Sequence, residues 1–194
     1  MRKGVIIAAL ALSCLPSPKP VQIDYYVLGG GVPSAPGAAS ETTATLAINR
    51  VTLPGYLDRG EVATRTQNHI TYSPTERWAE PLTDSVPKLL AQDLAAALGP
   101  DRIGVTSRST AAPDLGLSVE LERFERDGDG RVVLEARWWV RQMSEDRVIR
   151  SGTSRFEESP GGPTGDATAA SLARAIDRLA VEIATAVHAA RAAR

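Results

Sequence analysis

Few residues of this chain have the type and spacing for chemistry. Its two histidines lie far apart, His69 in a polar stretch and His188 near the end of a helical pattern, where the helix dipole favours a cation. With a single cysteine beside them they make no persuasive transition-metal set. Neither a Gly-x-Ser-x-Gly elbow nor a His-Glu-x-x-His pair is present, so the familiar serine-nucleophile and zinc-protease arrangements are missing. Glu120 and Glu122 stand at strand spacing and would share one face, as an acid and base pair must. A solvated sheet face has the same spacing, and that is the simpler reading. Asp127-Gly128-Asp129-Gly130 has the acidic start of a calcium loop, but its glycine comes two positions early and no Glu stands twelfth, so a hairpin turn is expected. Gly29 to Gly31 lacks a following Gly-Lys-Ser/Thr, and Pro33 and Pro36 forbid the helix that would hold a phosphate. No cofactor, no metal and no enzymatic activity are therefore expected. The reactive group left over is the thiol of Cys14.

Cys14 is the only cysteine, which excludes an intramolecular disulfide framework. Arg2 and Lys3 precede the apolar run Val5 to Leu12, and Pro16, Pro18 and Pro20 follow it. That is a basic n-region, a short h-region and a small residue, Ser13, at a cleavage point. The run is about half of the ~20 residues a membrane-spanning helix needs. A Cys placed after a small residue at the end of such a run resembles the lipobox of bacterial lipoproteins, with Ala11 and Leu12 in the reverse of the usual order. The resemblance implies cleavage before Cys14 and lipid on its thiol; the other reading is an ordinary signal peptide. Either way export is expected, with residues 1–13 a signal peptide, 14–20 a Pro-rich tether and 21–194 one domain. Leu15, following Cys14, would permit transfer to the outer membrane.

With 43% hydrophobic and 23% charged residues the remaining length suffices for one core and is short for two. The formal charge of -1 becomes two units more negative once Arg2 and Lys3 leave. No nucleic-acid partner is expected, and any attachment to a membrane must come through Cys14.

The elements that position everything else follow from periodicity. Gln22 to Leu28 reads as a strand, Gly29 to Ser40 as a loop, Thr45 to Leu53 and Glu61 to Thr66 as further strands, with short extended pieces near Ile70 to Tyr72 and Arg77 to Ala79. Asp84 to Leu98 is an amphipathic helix with Val86, Leu89, Leu90, Leu94, Ala97 and Leu98 on one face, Thr83 or Asp84 as cap, Pro87 in its first turn and Gly99-Pro100 as its stop. Ile103 to Thr106 reads as a strand, and this strand-helix-strand order suggests one crossover unit. Leu115, Leu117, Val119 and Leu121, then Val132, Leu134, Ala136, Trp138 and Val140, alternate as two strands of an antiparallel meander whose third is Arg147 to Phe156. The last helix, about Asp166 to Ala190, carries Leu172, Ile176, Leu179, Ile183 and Val187 at helical spacing, with Arg174, Arg178 and Glu182 facing away. Two helices apolar on one side must pack on a sheet. The expected fold is an α/β sandwich, a mixed, largely antiparallel sheet with two amphipathic helices.

Adjacent residues on a strand face opposite ways. If Trp138 joins Leu134 in the core, Trp139 lies on the outer face between Arg137 and Arg141, a composition favoured where proteins bind one another. A two-sided sheet with Trp139 covered is the alternative.

Two stretches carry a resemblance to a family. In "VTLPGYLDRGEVATR", Leu53, Pro54, Tyr56, Leu57, Asp58, Arg59, Val62 and Arg65 fit a strand followed by LPxYLDRPQIVxR, with Gly60 for the usual Pro. In "RWAEPL", Arg77, Trp78, Ala79, Glu80, Pro81 and Leu82 fit the opening of a helix. With the early aromatic strand Tyr25-Tyr26-Val27-Leu28 after Cys14, the chain resembles the ABC-type transport auxiliary lipoproteins, the PqiC or YmbA family. Read physically, Pro54 and Gly55 end a strand, Tyr56 and Leu57 tuck onto the core, Asp58 and Arg59 satisfy a turn, and Pro81 keeps Glu80 extended so that Trp78 is fixed ahead of the helix.

The resemblance implies an outer-membrane lipoprotein facing the periplasm, an accessory subunit whose partner is the MCE-domain protein of a transporter moving lipids between membranes. A homo-oligomeric ring would suit such a partner. A stand-alone lipoprotein binding a lipid or small apolar ligand is the main alternative, and an envelope hydrolase a weaker third.

Overall fold

In a computed structural model of the chain the described residues are 20–29, 45–99, 103–105, 112–162 and 164–192. The signal peptide, Cys14 and all of the tether but Pro20 lie outside them, as do most of the Gly29 to Ser40 stretch and Pro100.

The chain runs through β1 (Asp24–Tyr26), β2 (Leu46–Thr52), a 3-10 turn (Gly55–Leu57), β3 (Glu61–Thr66), β4 (His69–Trp78), α1 (Leu82–Leu98), β5 (Ile103–Val105), β6 (Leu115–Asp127), β7 (Val132–Gln142), β8 (Arg147–Glu158) and α2 (Gly165–Ala192). Among the described residues these strands form one mixed sheet of eight. Its spine is β6. On one edge β6 pairs antiparallel with β7, and β7 with β8. On the other edge β2 takes the first half of β6 and β3 the second, both parallel to it. Each then carries its own neighbours, β5 beside β2, and β4 then β1 beside β3.

Why β6 can serve both branches lies in its irregularity. Leu115, Leu117, Val119 and Leu121 are buried in alternation, but the register against β7 shifts between Leu121 and Arg123, and Phe124 becomes the next core residue. A bulge moves every later side chain to the other face. Glu125 thereby lands on the face opposite Phe124.

Both helices lie on one face. Val86, Leu90 and Leu94 of α1 and Leu172, Ile176, Leu179, Ile183 and Val187 of α2 share a single cluster with Leu117, Val119, Leu134, Ala136, Trp138 and Val140. Trp138 is the pivot: its indole N–H donates to Ser154 Oγ at 2.9 Å, and the Ser154 hydroxyl donates to Glu182 Oε1 at 2.8 Å, tying β7 and β8 to α2.

The α/β sandwich with its meander and two amphipathic helices is as read from the sequence. Several details differ. The first strand is confined to Asp24–Tyr26, with only β4 beside it. The two short pieces around Ile70 and Arg77 are one strand, because β3 offers a partner along its length except at an irregularity near Glu61 to Ala63. Helix α1 starts at Leu82 with no side-chain cap: the carbonyl of Pro81 accepts from the N–H groups of Asp84 and Ser85 instead, and Pro87 falls in the second turn. Gly99, at φ +104°, ends it. Strands β4 and β5, joined through α1, run in opposite senses, so they form no parallel crossover unit; α1 carries the chain from one branch of the sheet to the other. Glu182 turns toward the sheet to meet Ser154 rather than away from it.

Candidate functional site: the sheet face opposite the helices

Residues 53–63 occupy the interval between β2 and β3 that only residues 121–125 fill on β6, so this segment has to leave the sheet and return. Pro54 and Gly55 make that possible as a tight turn, their carbonyls accepting from Leu57 N and Asp58 N at 2.9 and 3.2 Å. Leu57 is buried, and Tyr56 is laid over β6.

Beneath Tyr56 is Glu125, a charged residue only 2% exposed. Its Oε2 accepts from the Tyr56 hydroxyl at 2.7 Å and from Phe124 N at 2.8 Å, and its Oε1 from Arg65 Nε at 3.0 Å and Arg123 Nε at 2.9 Å. The Arg65 guanidinium stacks on the Tyr56 ring, 5.0 Å from its centre. Burial, reinforced by the neighbouring carboxylate, pushes the Tyr56 phenol up to about 12. Both carboxylate oxygens are engaged and the phenol stays protonated, so the cluster clamps the segment down and has no free base to offer.

The other motif residues extend the clamp. The Tyr72 hydroxyl donates to Tyr56 O at 3.0 Å, and Arg59 lies over the Tyr72 ring at 4.5 Å. Arg77 pairs with Glu61 at 2.8 Å and holds that carboxyl below its usual range. Trp78 is buried, its backbone N–H donating to Gly60 O at 2.7 Å, and Ala79 N donates to Tyr26 O at 2.8 Å. Glu80 pairs with Lys88 of α1 just beyond Pro81. Leu53, Pro54, Tyr56, Leu57, Arg59, Arg65, Arg77 and Trp78 are thus brought together around β3, β4 and the end of β6, while Asp58 is exposed and joins through its backbone alone.

Arg137, Trp139 and Arg141 lie elsewhere on the same side of the sheet. Trp138 is in the core and Trp139 is half-buried on the outer face, paired across the strands with Ser118 on β6 and Ser151 on β8. Arg137 is exposed and pairs with Glu122 at 2.5 Å, which fits the solvated reading of the Glu120 and Glu122 face. Arg141 is committed to the β7–β8 turn, its Nη1 donating to Asp146 O and Oδ1 at 2.7 and 2.9 Å.

The remaining candidates have structural roles. Asp127 Oδ1 accepts from the N–H groups of Asp129 and Arg131, and Gly130 takes φ +84°, a hairpin turn. His69 opens β4 and is exposed. Among the described residues no group of three or more His, Cys, Asp or Glu is placed to hold a metal ion, and no helix is long and apolar enough to cross a membrane. Sequence reasoning missed two groups. Glu125 reads as one more charge in "LERFERD"; it is buried because Tyr56, Arg65 and Arg123 converge on it. Asp93 is visible as an acid amid Leu89, Leu90 and Leu94, and the structure buries it against α2 with Oδ2 unpartnered.

A family model described as ABC-type transport auxiliary lipoprotein component matches residues 26–184. No curated protein matches the chain. Among solved structures, an uncharacterized protein is similar at 20% identity and TM-score 0.69, over 86% of this chain and 99% of its own. A DUF330 protein from Xanthomonas campestris is similar at 20% identity and TM-score 0.67, over 83% and 92% of the two chains. At such identities the likeness speaks for the fold.

Proposed function

The chain belongs to the family of ABC-type transport auxiliary lipoprotein components, and from that premise we propose that it is an outer-membrane lipoprotein docking an MCE-type lipid transporter from the periplasmic side. The observation that carries this reading is the bare side of the sheet. Helices α1 and α2 cover one face, while on the other Trp139 lies half-buried, paired across the strands with Ser118 and Ser151 and two residues from the exposed Arg137 on β7. An aromatic ring framed by small side chains and edged by arginine is the composition of a protein-binding hot spot. The clamp around Glu125 keeps the other end of that face rigid.

Cys14 followed by Leu15 supports lipid anchoring and transfer to the outer membrane, and the tether to Pro20 raises the effective concentration of any docking contact. The partner is an MCE-domain subunit. If that subunit is ring-shaped, a closed ring of copies of this chain meets it through equivalent contacts.

Trp139→Ala combined with Arg137→Glu tests the reading. Copurification of an MCE-domain protein from detergent-solubilised envelopes should fall at least several-fold, while the thermal midpoint drops by no more than about 4 °C, as expected for surface changes. A large drop in midpoint with capture per folded molecule intact would place Trp139 among structural residues and move docking elsewhere.

A further inference from the structure

The segment from Val21 to Val27, with β1 at its centre, carries apolar side chains that no described residue covers. Tyr26 and Leu28 turn inward, Tyr26 against Gly165 at the start of α2 and Leu28 into the core. Val21, Ile23, Tyr25 and Val27 are left outside, 72%, 40%, 63% and 62% exposed. Strand β1 pairs with β4 alone, so among the described residues its other edge is open. Beside Tyr25 in the ladder is Arg77, whose charge is already met by Glu61. An open edge strand flanked by exposed apolar side chains, with one acid, Asp24, is a surface that folded proteins keep covered.

We propose that this stripe seats on the bilayer that holds the N-terminal anchor, at headgroup depth. The proposal rests on Cys14 as the lipidated residue. Val21 is seven residues beyond Cys14, a reach of at most ~25 Å even when fully extended, so the stripe is the part of the domain that the anchor keeps nearest the lipid. A bilayer surface takes valine, isoleucine and tyrosine without demanding a matched shape, and tyrosine suits the interface in particular. Water at that depth still serves the open N–H and C=O groups of β1, which hydrocarbon would leave unpaired, so insertion stops there. Acyl chains hold the protein to the membrane; the stripe adds a second contact that fixes which way the domain faces.

The test uses the full-length chain reconstituted in phosphatidylethanolamine and phosphatidylglycerol vesicles with brominated acyl chains. Since lipid consumes the only native thiol, Ile23→Cys or Val27→Cys gives a single site for an environment-sensitive dye, and Val181→Cys on α2 gives an exposed control. The dye at Ile23→Cys and Val27→Cys should lose most of its emission to the bromines, and the dye at Val181→Cys none. Flotation with the vesicles but no quenching at the stripe overturns the seating and leaves the anchor standing. Quenching between dyes on neighbouring molecules, relieved by dilution with unlabelled chain, assigns the stripe to a second copy and likewise overturns it. Uptake of dye by the unsubstituted chain, or no flotation, removes the anchor itself and the proposal with it.

Discussion

At the scale of single residues, two buried carboxylates behave differently because one is satisfied and the other is not. Glu125 receives four donors, and Tyr56→Phe removes one of them without opening a cavity. Losing a hydrogen bond to a charged group should lower stability by about 2 kcal/mol, read in urea denaturation, with the fold and outer face unchanged. No loss would mean that the Tyr56 hydroxyl is equally well served by water. Asp93 has the opposite problem: burial, with some repulsion from Asp177, raises its carboxyl to about 6. A folded-state value above the unfolded one means that the contribution is fully present below pH ~4 and is lost as pH rises through about 6. The chain should therefore gain stability on mild acidification, and Asp93→Asn should raise the midpoint at pH 7.5 by the equivalent of about 1–3 kcal/mol while flattening the profile between pH 7.5 and 5. A pH profile unaltered in the variant would show that Asp93 does not titrate in this range.

At the scale of elements, the meander depends on a place where a side chain is absent. Gly152 on β8 pairs with Trp138 on β7, and a Cβ there would press into the indole ring. Gly152→Ala should push Trp138 off Ser154 and cost about 1–3 kcal/mol by overpacking, seen as a lower midpoint and a shifted tryptophan emission. An unchanged emission would mean that β8 moves aside instead. Most of the elements were readable from period, the first strand and β4 being the exceptions. Strand β3 ends where its residues said it would, and the stripe of α2 from Leu172 to Val187 is buried as spaced. What period could not reveal was anything set by a distant partner. The bulge after Leu121, which sets Glu125 on the face opposite Phe124, is specified by pairing with β7, and the full length of β4 by pairing with β3. Likewise the motif residues Tyr56 and Arg65 were legible as a pattern, but their meeting point was not, since Glu125 lies sixty residues beyond Arg65.

At the scale of the whole molecule, the division between faces organises the proposed function. One side of the sheet is packed by α1 and α2, and the other is held in shape by the clamp at one end and carries the half-buried Trp139 farther along. On the proposed reading, a tethered domain would contribute position and contact to a transport assembly. The most direct test puts a photo-crosslinking amino acid at Trp139 and, as a control, at Val181, in living cells, and identifies the adducts by mass spectrometry. The docking account predicts an adduct between position 139 and an MCE-domain subunit, absent at position 181. Free, uncrosslinked chain at position 139, with the MCE-domain adduct forming at Val181, would contradict it.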